Sequence, residues 1–186
     1  EIVTPEEFLP RENEVLSVTA HPGYYGKRKI EFPYERRKIS TAYIPWNCGE
    51  NYVIGAMFCG TSNAFIKMSK TLKRNIEEDL KKNIIAKWHD ESQLNRYIIN
   101  KPGVRILEPM YCYPYGMEVS YPKKIYAVSK QAKFDVKSFK GQYAKRKSSV
   151  RKSLDVLKRK LLLKERFLYL IDVISGVHIG EISDEE

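Results

Sequence analysis

The sequence predicts an α/β domain over residues 1–130 and a basic helical tail over residues 131–186, and three observations predict this. Short β-type runs alternate with helix-spaced runs up to Lys130. Pro, Gly and Tyr punctuate that first stretch, whereas no Pro occurs beyond it. Hydrophobic residues make up 42% of the 186 and aromatic residues 12%, enough for one buried core and too much for a disordered chain.

The elements follow in order. Residues 1–4 read as a strand already under way, and the missing initial Met makes the chain read as a piece of a longer protein. Residues 14–20 (EVLSVTA) alternate as a strand does, and HPGYYG at 21–26 is a loop. Residues 42–45 form a short extended piece. The near-continuous apolar run 52–58 (YVIGAMF) predicts a buried strand with two small residues, Gly55 and Ala56. Thr61 or Ser62 caps a long helix in which Phe65, Met68, Leu72, Ile76 and Leu80 recur at spacings of three and four. A second helix carries Glu91, Leu94, Tyr97 and Ile98 and ends before Lys101-Pro102-Gly103. Residues 104–107 and 125–128 are strands.

Charge separates the two regions. Residues 1–120 hold 17 Lys and Arg against 15 Asp and Glu, residues 121–166 hold 16 against 3, and residues 167–186 hold none against 5. The net charge of +10 therefore belongs to the tail and not to the main domain. Cys48, Cys59 and Cys112 form neither a CxxC pair nor a disulfide framework, which suggests a reducing compartment and a cytoplasmic location. No stretch approaches the roughly 20 apolar residues of a membrane span.

The densest chemistry is WHDESQLNRY at 88–97, with an indole, an imidazole and two carboxylates in four residues. Sugar sites need such a set: an aromatic face to stack on a pyranose, and carboxylates to bind hydroxyls or support an oxocarbenium-like centre. Spacing alone allows a second reading, a helix start with Asp90 as cap and Glu91 complementing the dipole.

This block closely resembles the WHDES-LN-Y block of the ABO blood-group and α-1,3-galactosyltransferase family, glycosyltransferase family 6. Further blocks agree in the same order: HPGYYG with the family's HPGFYG, FPYERR at 32–37 with FTYERR, AYIP at 42–45 with AYIP, and NYVIGAMFCG at 51–60 with FYYMGAFFGG. ILEPMY at 106–111 is similar to VLSPEY, and AVSK at 127–130 to AVPK. The resemblance covers about residues 1–130. It implies the acceptor-side half of a GT-A fold, and the C-terminal helical extension read from spacing lies beyond it. It also implies retaining transfer of galactose or N-acetylgalactosamine from a UDP-sugar to a glycan hydroxyl, in an α-1,3 link.

Residue by residue, the resemblance makes Glu91 the candidate nucleophile or stabiliser. His89 and Asp90 fall on the donor side, together with Ile54, Gly55 and Ala56, which match positions that discriminate the two sugars by size. Lys130 matches a tail lysine that contacts the UDP phosphates. His21 and Trp88 fall on the acceptor side, with Tyr34 and Tyr113 as further aromatic contacts. Pro33 and Pro114 depart from acceptor-binding positions of the family, so the acceptor is expected to be held differently, and the Tyr-rich segment 111–116 suggests a bacterial branch. The family's metal motif, DxD or NxN, is absent from this sequence. Mn2+ is expected only if a DxD lies upstream, and this chain alone is expected to be inactive.

Val150, Leu154, Leu157 and Leu161 alternate with Lys and Arg at helical spacing, so residues 145–170 read as a cationic amphipathic helix. Such a face suits an anionic membrane surface, and a lipid-linked saccharide or oligosaccharide as acceptor would agree with peripheral attachment to an inner membrane. The same leucines could instead pack on the domain. Few aromatics are interleaved, so nucleic acid is not favoured. A non-catalytic glycan-binding module is the alternative from another functional class.

Overall fold

A computed structural model describes residues 3–128 apart from Met117 and Val119. The expectations for Lys130 and for the helical tail lie outside the described residues.

The expected strand at the start does not continue through Thr4. A single helical turn, α1 (Pro5–Phe8), follows Thr4, whose backbone N–H donates to Glu7 Oε1 at 3.1 Å. The reason lies in Pro5, which has no N–H to give a ladder and whose fixed φ suits the first position of a helix.

Strand β1 (Leu16–Ala20) is buried at all five positions and forms the centre of a mixed sheet. It pairs antiparallel with β2 (Val53–Gly60) and parallel with β3 (Val104–Leu107), giving the order β2-β1-β3. Val18 stands opposite both Phe58 and Ile106. The β1–β2 register shifts between Val18 and Ala20, where Ala20 faces Val53.

Between β2 and β3 the chain makes α2 (Ser62–Lys81) and α3 (His89–Ile98). Thr61 caps α2, its Oγ1 accepting the Ala64 N–H at 3.4 Å. Leu16, Val18, Val53, Met68, Leu94 and Ile98 form the main core, which joins one sheet face to both helices. Burying a side chain such as Met68 is worth about 1.5–3 kcal/mol. Of the five regularly spaced apolar residues of α2, Met68 is buried, Leu72 and Ile76 are half-buried, and Phe65 and Leu80 are exposed.

Among the described residues the strand expected to be buried is a half-exposed edge. In β2 only Val53 is buried, and Ala56 is exposed. Among the described residues β2 pairs with β1 alone, and the helices cover one of its faces.

The long connection from β1 to β2 packs a second cluster of Phe32, Tyr34, Ile44 and Tyr52, and the expected extended piece makes one bridge, Glu35 to Tyr43. Asp79 ties this connection to both helices. Its carboxylate accepts Ser40 Oγ–H at 2.6 Å, Thr41 N–H at 2.7 Å and Gln93 Nε2–H at 3.2 Å, at 2% exposure. After β3 a 3-10 turn (Pro109–Cys112) leads to β4 (Tyr113–Pro114), which pairs parallel with β5 (Tyr126–Ala127). Cys48, Cys59 and Cys112 are free thiols. No described helix is long and apolar enough to cross a membrane.

Candidate active site

The site is assembled where the first turn of α3 meets β2. The segment leading into α3 is pinned from the β1–β2 connection. Glu35 accepts the Lys87 N–H at 2.8 Å and is bridged by Arg37, whose Nη2 also donates to the Ile85 carbonyl at 2.6 Å. Burial pushes the Glu35 carboxyl up, but the Arg37 guanidinium and the backbone N–H groups outweigh it and hold it below the usual range. The helix then starts on Trp88. Its carbonyl accepts the N–H groups of Glu91 at 3.0 Å and Ser92 at 3.4 Å, and its N–H donates to Ser92 Oγ at 2.9 Å. His89 has φ +51, a left-handed conformation that costs a residue with a Cβ and persists only where neighbours enforce it. Asp90 is therefore not the cap; it stands with Glu91 in the first turn, where the free N–H groups of the helix favour carboxylates.

Glu91 is half-buried and held by both carboxylate oxygens. Oε1 accepts the Tyr52 hydroxyl at 2.7 Å, and Oε2 accepts the Gly55 N–H at 2.8 Å. The close approach explains the glycine: a Cβ at position 55 would lie 3.2 Å from Glu91 Cβ. Burial, reinforced by the bond to Glu91, raises the Tyr52 pKa, so the phenol stays protonated and donates. His21 stands edge-on to Tyr24 at 5.0 Å between ring centroids and tilted to Tyr52 at 5.5 Å. Its Nδ1 accepts the Gly23 N–H at 3.0 Å, which leaves Nε2 as the ring N–H. Burial lowers the His21 pKa and outweighs the opposing pull of the Glu91 charge. The buried Cys112 thiol is pushed up by burial and then by that same charge, so Glu91, His21, Tyr52 and Cys112 share one electrostatic neighbourhood.

Behind Glu91, Asn95 is 1% exposed and joins α3 to β2. Its Oδ1 accepts the Val53 N–H at 2.9 Å, and its Nδ2 donates to the carbonyls of Val53 at 2.9 Å and Glu91 at 2.8 Å. Neither Tyr52 nor Asn95 was singled out by sequence reasoning. The available signal for Asn95 was its place one helical turn after Glu91, on the same face.

The remaining expected site residues fall into three groups. On β2, Ile54 and Gly55 are half-buried and Ala56 is exposed. His89 and Asp90 are exposed. They line a largely apolar cavity of about 200 Å³ between the end of α2 and the start of α3, together with residues such as Leu80, Ile84 and Ile85. Glu91 is not in its lining. Trp88 is 47% exposed beside them.

Tyr34 and Tyr113, expected as acceptor contacts, are buried at 2% and 1% exposure. Tyr34 donates its hydroxyl to the Asn51 carbonyl at 2.7 Å and packs against Phe32 and Tyr52, while Tyr113 packs against Tyr121 and Tyr126. Both fill space beneath the surface and offer no open face to an acceptor. Among the described residues no three His, Cys, Asp or Glu side chains come together to hold a metal ion, so Mn2+ finds no fitting ligand set in them.

Comparison with known proteins gives a match of residues 10–139 to the family described as Glycosyltransferase family 6. The chain is 41% identical over 103 residues to histo-blood group ABO system transferase 2 of Rattus norvegicus, covering 54% of this chain and 31% of that protein. It is 38% identical over 93 residues to globoside alpha-1,3-N-acetylgalactosaminyltransferase 1 of Gallus gallus, covering 50% and 27%. It is 38% identical over 104 residues to the O-antigen biosynthesis glycosyltransferase WbnI of Escherichia coli, covering 55% and 43%. The matched part thus spans less than half the length of each of these relatives.

Proposed function

The chain belongs to glycosyltransferase family 6, and from that premise we propose that the intact protein transfers galactose or N-acetylgalactosamine from a UDP-sugar to a glycan hydroxyl. The configuration at the anomeric carbon is retained and the new link is α-1,3. The observation that carries this reading is Glu91, a half-buried carboxylate fixed by two donors at the edge of the sheet.

In retaining transfer the bond from the anomeric carbon to UDP breaks and its electron pair leaves with the diphosphate. Glu91 meets the opposite face of the sugar. It either bonds to the anomeric carbon, a bond the acceptor oxygen later displaces, or stabilises the positive charge that develops there; the acceptor oxygen takes the position UDP left, and its proton passes to the departing diphosphate. Tyr52 and Gly55 each use one lone pair of a carboxylate oxygen, which leaves others for the sugar. Family membership supports His89 and Asp90 as contacts to hydroxyls of the donor sugar, while in this structure both line the cavity that lacks Glu91. Ile54 and Ala56 set the room beside its C2 substituent. His21 offers a neutral N–H to an acceptor hydroxyl, and Trp88 offers an exposed ring face on which a pyranose can stack. The acceptor is an oligosaccharide or lipid-linked saccharide, and the E. coli relative, named for O-antigen biosynthesis, supports the same class of product. The described residues do not fit a metal, so no step here runs through one.

The test is to supply the intact protein with UDP-galactose and UDP-N-acetylgalactosamine together with glycan acceptors, and to read the anomeric configuration of the product by NMR. An α-linked hexose is expected. A β-linked product, or glycan binding with no transfer from either donor, would overturn the reading.

A further inference from the structure

We infer that Tyr52 and Asn95 are positioning residues that fix where Glu91 stands, through a clasp between the start of β2 and the first two turns of α3. The inference rests on Glu91 acting at the anomeric carbon and adds what aims it.

The clasp has two linked halves. On the side-chain half, the Tyr52 hydroxyl and the Gly55 N–H hold one carboxylate oxygen each, at 2.7 and 2.8 Å. On the backbone half, the Asn95 amide behaves as a peptide group of a neighbouring strand would. It accepts from the Val53 N–H and donates to the Val53 carbonyl, both at 2.9 Å. The same Nδ2 donates to the Glu91 carbonyl at 2.8 Å. Val53 lies where the β1–β2 register shifts, so its outward N–H and carbonyl are taken up by a helix side chain. Tyr52, strand residues 53 and 55 and helix residues 91 and 95 therefore close a ring of hydrogen bonds. Glu91 cannot swing from Tyr52 without losing a bond, and α3 cannot slide along β2 without breaking the Asn95 contacts.

A packing role alone does not account for this. Asn95 lies between Leu94 and Ile98 of the main core at 1% exposure, where an apolar residue would fill space without needing three partners. Tyr52 likewise needs only its ring for the cluster with Phe32 and Tyr34, yet its hydroxyl ends on the carboxylate. A displacement of about 1 Å at a reacting group costs on the order of 100-fold in rate.

The experiment compares kcat and the donor KM of the intact protein with those of Tyr52→Phe, Asn95→Leu and Glu91→Gln, per mole of folded protein. Tyr52→Phe removes one oxygen and keeps the ring; Asn95→Leu keeps the branched shape and removes the amide. Both are expected to lower kcat about 10- to 100-fold with KM little changed. Wild-type kcat in both, with Glu91→Gln inactive, overturns the clasp and leaves the Glu91 role standing. Full activity of Glu91→Gln overturns that role itself. If Asn95→Leu does not fold, Tyr52→Phe decides alone.

Discussion

His21 carries a proton on Nε2 and none on Nδ1, because Nδ1 is occupied by the Gly23 N–H, and burial disfavours its charged form. Its pKa in the folded protein is lowered from 6.5. As pH falls below 6.5 the unfolded chain takes up this proton before the folded one does, so His21 lowers stability with falling pH until its folded pKa is passed. Thermal unfolding of the wild type should thus lose more stability between pH 7.5 and pH 5.5 than that of His21→Gln; parallel losses would contradict a buried neutral imidazole. At this scale the sequence made Glu91 legible, because a dense motif and an ordered family resemblance pointed to it together. The Tyr52–Glu91 bond spans 39 positions, and no local spacing encodes it. Tyr34 and Tyr113 misled for a related reason: an aromatic ring fills a core as readily as it lines a sugar site, and only burial separates the two uses.

Among the elements, α3 is placed by polar contacts as much as by packing, and Asp79 anchors it to α2 and the β1–β2 connection. Asp79→Ala strands the donors of Ser40, Thr41 and Gln93 in the interior. Urea unfolding should show a loss of about 3 kcal/mol or more, and a change near zero would mean that these donors find other partners. Gly49 is a second control point. It has φ +86, and a Cβ there would lie 2.5 Å from the Tyr34 hydroxyl oxygen. Gly49→Ala should destabilise by more than about 1 kcal/mol in the same measurement; equal stability would show that Tyr34 can yield. The periodicities of β1, α2, α3 and β3 revealed these elements in the sequence. Their burial was less legible. An apolar run such as 52–58 reads alike in a central strand and in an edge strand backed by helices, and the regular spacing of Phe65 and Leu80 did not reveal that both lie at the surface. Pro5 begins a helical turn directly after Thr4, a stop that the apolar residues before it do not signal.

For the whole molecule, the net charge lies in residues 121–166 and the candidate site in residues 1–128. The 16 basic residues against 3 acidic ones in 121–166 support the proposal that the tail binds an anionic membrane surface. The intact protein should co-sediment with anionic vesicles at low salt, release at high salt, and ignore neutral vesicles; no binding at low salt would remove that proposal. The proposed transfer rests on the clasped carboxylate. The most direct measurement is the turnover of the intact protein carrying Glu91→Gln, with saturating UDP-sugar and acceptor. Turnover should fall by at least about 100-fold, the scale of losing a group that acts in the transition state, with the fold and donor binding kept. Wild-type turnover in that variant would contradict the assignment of Glu91 to the reacting centre.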